Sequence, residues 1–213
     1  MAVDEDKLTY WNMSSYFCSK KCGCAEHGFP GYFAPKFDGV LLVSQCPGYS
    51  RMPYGGQKKR TWEYKPTEMA YEDFQKLYLA EFASNRAIGT FYLFYAKSMG
   101  LELDELTFTS LVKCPFKDNN FDEFADASIA KCKWLLHGQI DALKPDVIVA
   151  LGRAAIDFFQ EDEPEFSTFN LIYPYDDESR LQKVVTFTHP SRVRNQEKEA
   201  KKLADLVKKA RGF

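Results

Sequence analysis

The spacing of apolar and polar positions changes several times along this chain, and each change marks an element. Phe37 to Ser44, FDGVLLVS, is a short apolar run that predicts the first central strand. From Glu68 to Met99 the pattern is helical. Met69, Phe74, Leu77, Tyr78 and Phe82 recur close to one face, Asn85 marks a break, and Ile88 to Ala96 continue a second apolar helix. Leu106 to Val112 alternates and is rich in β-branched residues, which predicts a strand. A helix is expected from Glu123 to Leu143, ended by Pro145, and Asp146 to Leu151 is the most strand-like run in the chain. Gly152-Arg153 then turns into a helix over Ala154 to Phe159. Residues 160–180 are acidic and irregular, with a short edge strand read at Phe169 to Tyr173. Lys183 to Thr188 is the last strand, and Glu197 to Lys209 a Lys-rich closing helix with Ala200, Leu203 and Leu206 inward. The first 16 residues are polar and aromatic, with a short helix read from Thr9.

Strands separated by helices predict an α/β fold on a parallel sheet. At 213 residues the chain suits one domain over 1–213, and 45% apolar with 15% aromatic residues supplies a packed core. No apolar run approaches the roughly 18 residues of a membrane span. MAVDEDKLTYW is acidic where a secretory signal is basic and then apolar. The expectation is a soluble, cytoplasmic protein without a membrane partner. A formal charge of −2 does not advertise nucleic-acid binding, which would need a local basic surface.

Candidate chemistry gathers in two places. Cys18, Cys22 and Cys24 crowd a Gly-rich loop, and with Cys114 and Cys132 they make five of six cysteines that a metal could collect. In a reducing compartment such cysteines are thiols or ligands rather than disulfides. Four loops follow strand ends: Gln45 to Gly56, Lys113 to Asn120, Gly152-Arg153, and His189 to Asn195. In a parallel sheet they share one rim, where open α/β folds bind ligands. Lys58-Lys59-Arg60 could meet phosphates there, although a charge run is more often a solvated face.

These motifs, in this order, resemble the uracil-DNA glycosylase superfamily, and most closely its iron–sulfur-containing class. LLVSQCPG is similar to the first motif, usually G-E-A-P-G. LVKCPF resembles V-V-K-C-R-P, KPDVIVALGRAA resembles P-x-V-I-V-A-L-G-x-x-A, and THPSRVRN resembles the H-P-S motif. The resemblance implies a three-layer α/β/α fold with a central, mainly parallel four-stranded sheet. It implies a monomer that binds DNA containing a damaged base and cleaves the bond between base and sugar, with uracil the default base. It also implies a structural [4Fe–4S] cluster held by Cys114, Cys132 and two cysteines of the amino-terminal loop. Cys18 with Cys22 is the favoured pair, and Cys24 the alternative for either. Ligand type alone would suit zinc as well.

The resemblance carries further roles. His189 faces the departing base, Tyr54 of MPYGG stacks on it, and Cys46, Pro47, Gly48 and Ser191 line its place. Val193 stands where the family sets an apolar wedge into the minor groove, with Arg192 and Arg194 on phosphates. Two positions depart from the pattern. Gln45-Cys46 replaces the usual carboxylate of the first motif; Gln45 can orient water or bind the base but cannot balance a sugar cation. A Cys46 nucleophile would need a basic neighbour, and none is adjacent in sequence. Ser110 replaces the Asn that reads the uracil edge, and one hydroxyl cannot reproduce a two-point amide contact. Base excision is therefore expected without a fixed choice of base. A catalytically weak lesion-binding member of the fold, and a metal-stapled interaction module with no DNA role, are the competing readings.

Overall fold

A computed structural model describes residues 3–18, 26–47, 56–85, 88–116, 125–160, 171–173 and 180–212. Its elements are α1 (Glu5–Tyr16), β1 (Val40–Ser44), α2 (Tyr71–Ser84), α3 (Ile88–Met99), β2 (Thr107–Ser110), α4 (Ala125–Leu143), β3 (Val147–Leu151), α5 (Arg153–Gln160), β4 (Leu171–Tyr173), β5 (Arg180–Phe187) and α6 (Gln196–Arg211). The sheet order is β2-β1-β3-β5-β4. The first four strands are mutually parallel, and β4 adds a short antiparallel edge to β5. The four-stranded parallel core thus matches the expectation, and the edge strand falls within the stretch read for it.

Side chains that alternate along each strand fill two opposite layers. Val40, Leu42, Phe108, Val147, Val149, Val185 and Phe187 point to one face, under α3 and α6, where Phe91, Tyr95, Leu203 and Val207 are buried. Leu41, Val43, Ile148, Ala150 and Val184 point to the other, under α4 and α5, where Leu136, Ile140, Ala155 and Phe159 are buried. The result is three layers, α/β/α. β3 is buried throughout, and β1 at every position but its last, Ser44, because both faces are covered, which explains their apolar runs.

Several boundaries differ from the pattern for local reasons. β1 starts at Val40 rather than Phe37, because Asp38 and Gly39 form a turn. Gly39 has φ +92°, and the Asp38 carboxylate accepts from Val40 N at 3.0 Å. α1 starts a turn earlier than Thr9, because Asp4 caps it by accepting from Lys7 N at 3.0 Å. Its buried positions mix the polar Asn12 and Ser15 with Tyr16, so apolar spacing did not reveal where the helix starts. α1 lies on the outside of α4 and runs antiparallel to it. Asp4 N donates to Ala142 O, Lys7 pairs with Asp141, and Trp11 lies against Gly138 and Trp134. No helix among the described residues is long and apolar enough to cross a membrane.

Candidate functional site

Because the four central strands are parallel, their carboxyl ends open on one rim. β1 and β2 remain joined beyond their last residues: Leu111 N donates to Ser44 O at 2.9 Å, and Val112 N to Gln45 O at 3.1 Å. This pairing fixes the Gln45 backbone and leaves its half-buried side chain at the rim. Cys46 is half-buried and packs against the α4/α5 layer, and Pro47 is buried. Gly48 and Tyr54 lie outside the described residues. Ser110 is placed inward: it is buried, and its hydroxyl donates to Val112 O at 2.9 Å.

Two strands away, β5 ends in His189-Pro190-Ser191, a single tight helical turn. Ser191 N donates to His189 Nδ1 at 3.3 Å, and Ser191 Oγ lies 2.8 Å from the same nitrogen. A main-chain N–H can only donate, so Nδ1 carries a lone pair and the ring proton sits on Nε2. Burial, with the Arg192 charge adding to it, holds the His189 pKa below its ordinary 6.5, so the ring is neutral near pH 7. The geometry therefore presents one neutral N–H donor at the rim.

Gly152 is what allows that ring its place. It follows β3 with φ +86°, and a Cβ there would lie 3.0 Å from His189 Cβ. Gly152 N also donates to Phe187 O at 2.8 Å, which ties the β3 turn to the end of β5. Below the turn, the Gln196 side-chain amide donates to Val193 O at 3.0 Å and Pro190 O at 3.3 Å. The pattern of the chain gave no hint of this brace, because it depends on how α6 begins. Val193 is half-buried and packed on the α3/α6 core, so its side chain is partly anchored; Arg192 and Arg194 are exposed. The structure thus brings His189, Ser191 and Gly152 into contact. Gln45 stands across β3 from them, at a strand-spacing distance of about 10 Å.

The cysteines lie elsewhere. Cys114 is 2% exposed and Cys132 1%, and Cys18 is half-buried just past the end of α1. Cys22 and Cys24 lie outside the described residues. Among the described residues no three His, Cys, Asp or Glu side chains form a metal-binding group. Gly28, after the undescribed stretch, packs beside the end of α1 and the Lys113-Cys114 segment. Cys18 N donates to Ser15 O at 3.1 Å, and a Cβ on Gly28 would overlap Ser15 O and meet Lys113 Cβ at 3.3 Å. Cys114 Sγ itself lies 3.8 Å from His27 O. The antiparallel register of α1 on α4 carries the end of α1 toward the turn that holds Cys132. The thiols of Cys18, Cys114 and Cys132 suit a thiolate-ligated centre in donor type.

Beside Cys114 in the chain stands a residue that the pattern did not single out. Lys113 is fully buried. Its Nζ donates to Thr109 Oγ1 at 2.7 Å, Ser110 O at 2.7 Å and Gln139 Oε1 at 2.8 Å. Burial pushes its pKa down to about 7, with the Cys132 charge acting in the opposite direction. Gln139 is turned to receive it, because its amide NH₂ donates to Asn12 Oδ1 at 2.8 Å and Pro30 O at 3.0 Å. The available signal was the spacing of Cys132 and Gln139, seven residues apart and so on one helical face.

A family model described as the uracil DNA glycosylase superfamily matches residues 30–211 of this chain. Among characterised proteins, the type-4 uracil-DNA glycosylase of Archaeoglobus fulgidus is 33% identical over 101 residues. That alignment covers 45% of this chain and 50% of the archaeal protein.

Proposed function

Since the chain belongs to the uracil DNA glycosylase superfamily, we propose that it is a base-excision repair hydrolase, acting as a single domain on uracil or another deaminated base in DNA. The observation that carries this reading is the neutral His189 ring at the rim, its Nε2–H set by Ser191 and its position allowed by Gly152. In such a reaction the bond from the sugar carbon to the base nitrogen breaks, and its electron pair leaves with the base. Negative charge then grows on a carbonyl oxygen of the base. A fixed N–H donor aimed at that oxygen favours the charged state more than the starting state. The ring needs no prior proton, because it donates from its neutral form.

Gln45, on the far side of β3, would orient the water that adds to the sugar cation, through its side-chain carbonyl. It cannot take up a proton as a carboxylate does, so the water proton passes to solvent or to the departed base. The Cys46-Pro47-Gly48 turn would form the floor for the base, with Tyr54 stacked above it. Arg192 and Arg194, both exposed, would hold phosphates either side of Val193. The inward hydroxyl of Ser110 would act on the base only through the loop it braces, which argues against tight selection of uracil.

Cys18, Cys22, Cys114 and Cys132, with Cys24 in place of either of the first two, would hold a [4Fe–4S] cluster; zinc is the weaker alternative. When bound, such a centre supplies structural cross-linking rather than a chemical step. It would join the amino-terminal loop to the loop after β2 and to α4. A second reading, a member of the fold that binds lesions and cuts them poorly, is favoured by the neutral Gln45 where the family has a carboxylate.

The test is base release from single- and double-stranded DNA containing uracil, hypoxanthine or xanthine. Release of at least one base, reduced by about 10²–10³ in His189→Ala, supports the enzyme. Binding to abasic DNA with no release at any enzyme excess supports the second reading instead.

A further inference from the structure

We propose that Gln196 is a positioning residue of the rim: its side-chain amide holds the turn after β5, so that the His189 proton stays on Nε2 and that donor keeps a fixed distance from Arg192. The proposal rests on the reading of His189 as the donor to the departing base. Three residues, Pro190 to Arg192, make the turn, and a helical turn that short is weak by itself. Arg192 N donates to His189 O at 2.9 Å, but the next bond, from Val193 N to Pro190 O, is stretched to 3.4 Å. The Gln196 amide reaches back beneath the turn and donates to Val193 O at 3.0 Å and to Pro190 O at 3.3 Å. Gln196 is placed to do this as the first residue of α6, which is seated on the sheet through the buried Ala200, Leu203, Ala204 and Val207. Asn195 caps that helix by accepting from Lys198 N at 3.0 Å, so the start of α6 is fixed.

The other end of the same amide points to function rather than stability. Gln196 Oε1 is buried and has no hydrogen-bond partner among the described residues. A buried acceptor without a donor costs about 1–3 kcal/mol, which an apolar side chain of similar length does not incur. A flipped amide would set Oε1 against two carbonyl oxygens, so the orientation is decided by its two acceptors. What these bonds secure is the Ser191 N–H. It lies within the turn and donates to His189 Nδ1 at 3.3 Å, a long bond that tolerates little further displacement. Once the turn opens, Nδ1 loses that donor and the ring proton divides between the two nitrogens. A neutral ring protonated on Nδ1 cannot donate from Nε2. The turn also carries the exposed Arg192 three residues from His189. A phosphate held by Arg192 therefore sets where the His189 donor meets the base only while the turn is rigid.

The experiment compares the full chain with Gln196→Met, which keeps the length and removes both donors, and Gln196→Glu, which keeps the shape and removes them. A carboxylate suits the first turn of a helix, where Glu197 and Glu199 already stand, so the Glu variant retains α6. Thermal melts check folding. Ring nitrogen chemical shifts of the neutral imidazole report the His189 tautomer in the free protein. Base release is measured in single turnover at saturating enzyme, so that binding does not enter the rate. The wild type should show one tautomer, with the proton on Nε2. The folded variants should show a mixture, and release slower by about 10- to 100-fold, while Gln196→Met keeps the wild-type affinity for abasic DNA. A single tautomer in the folded variants overturns the inference whatever their rates, and so does a mixture beside a wild-type rate of release. A wild type that releases no base removes the enzyme reading, and the tautomer then decides alone: a mixture in the variants supports Gln196 as the residue that sets the His189 donor, and a single tautomer overturns it. Should Gln196→Met fail to fold, Gln196→Glu carries the test.

Discussion

At the scale of the residue, the argument turns on His189. Its neutral state follows from burial and the nearby Arg192 charge, and its tautomer from the Ser191 N–H. The ring should titrate below its ordinary 6.5 in an NMR pH series, and Arg192→Ala should raise that value by removing a like charge. The linkage sign follows. The unfolded chain takes up the proton at a higher pH than the folded one, so this contribution to stability is present above about 6.5 and lost as pH falls through the folded value. His27, also lowered by burial, acts in the same sense. Gly152 supplies a second check at this scale. Gly152→Ala forces a side chain into φ +86° and toward His189 Cβ. It should cost about 1–2 kcal/mol in denaturant unfolding and lower the rate of base release beyond what that loss of stability explains.

At the scale of the element, α1 is the part of the fold least legible in the sequence. The apolar runs of β1 and β3 announced themselves because both of their faces are covered. The amphipathic stripes of α2, α3 and α6 did so because one face is. α1 docks through a mixture of groups: Asn12 binds Gln139, while Leu8 and Tyr16 pack on apolar side chains. The pattern showed only a short helix from Thr9, and the Asp4 cap sets its earlier start. Trp11 closes the contact by lying where a Cβ on Gly138 would be. Gly138→Ala should displace Trp11, destabilise the protein by about 1–3 kcal/mol, and shift tryptophan fluorescence. An Ala variant with unchanged melting and emission would show that α1 is not seated on α4 in this way. Lys113 was illegible for a related reason. Lysine is ordinarily exposed, and only the meeting of α1, β2 and α4 buries this one.

At the scale of the whole molecule, a slightly acidic chain still presents a local basic edge. The rim loop offers Arg192 and Arg194, and α6 behind it continues with exposed Lys198, Lys201 and Lys202. Net charge could not have located that edge; the placement of β5 and α6 does. Binding to abasic DNA should weaken as salt rises, and Arg192→Ala should lower the slope of log affinity against log salt by about 1. A salt-independent affinity would remove DNA from the account. The parallel sheet and its four rim loops were legible from ordered motifs at strand ends. The mutual support of those loops was not: the β1–β2 pairing past Ser44 and Ser110, the Gly152–His189 contact and the Gln196 brace each depend on residues far apart in sequence.

The measurement that bears most directly on the central claim is single-turnover release of uracil, hypoxanthine and xanthine from DNA by the wild-type chain beside His189→Ala. The account predicts release of at least one base by the wild type and a loss of about 10²–10³ in rate in a variant that folds and binds DNA normally. Equal rates in the two proteins, or no release by either at any excess, would contradict it.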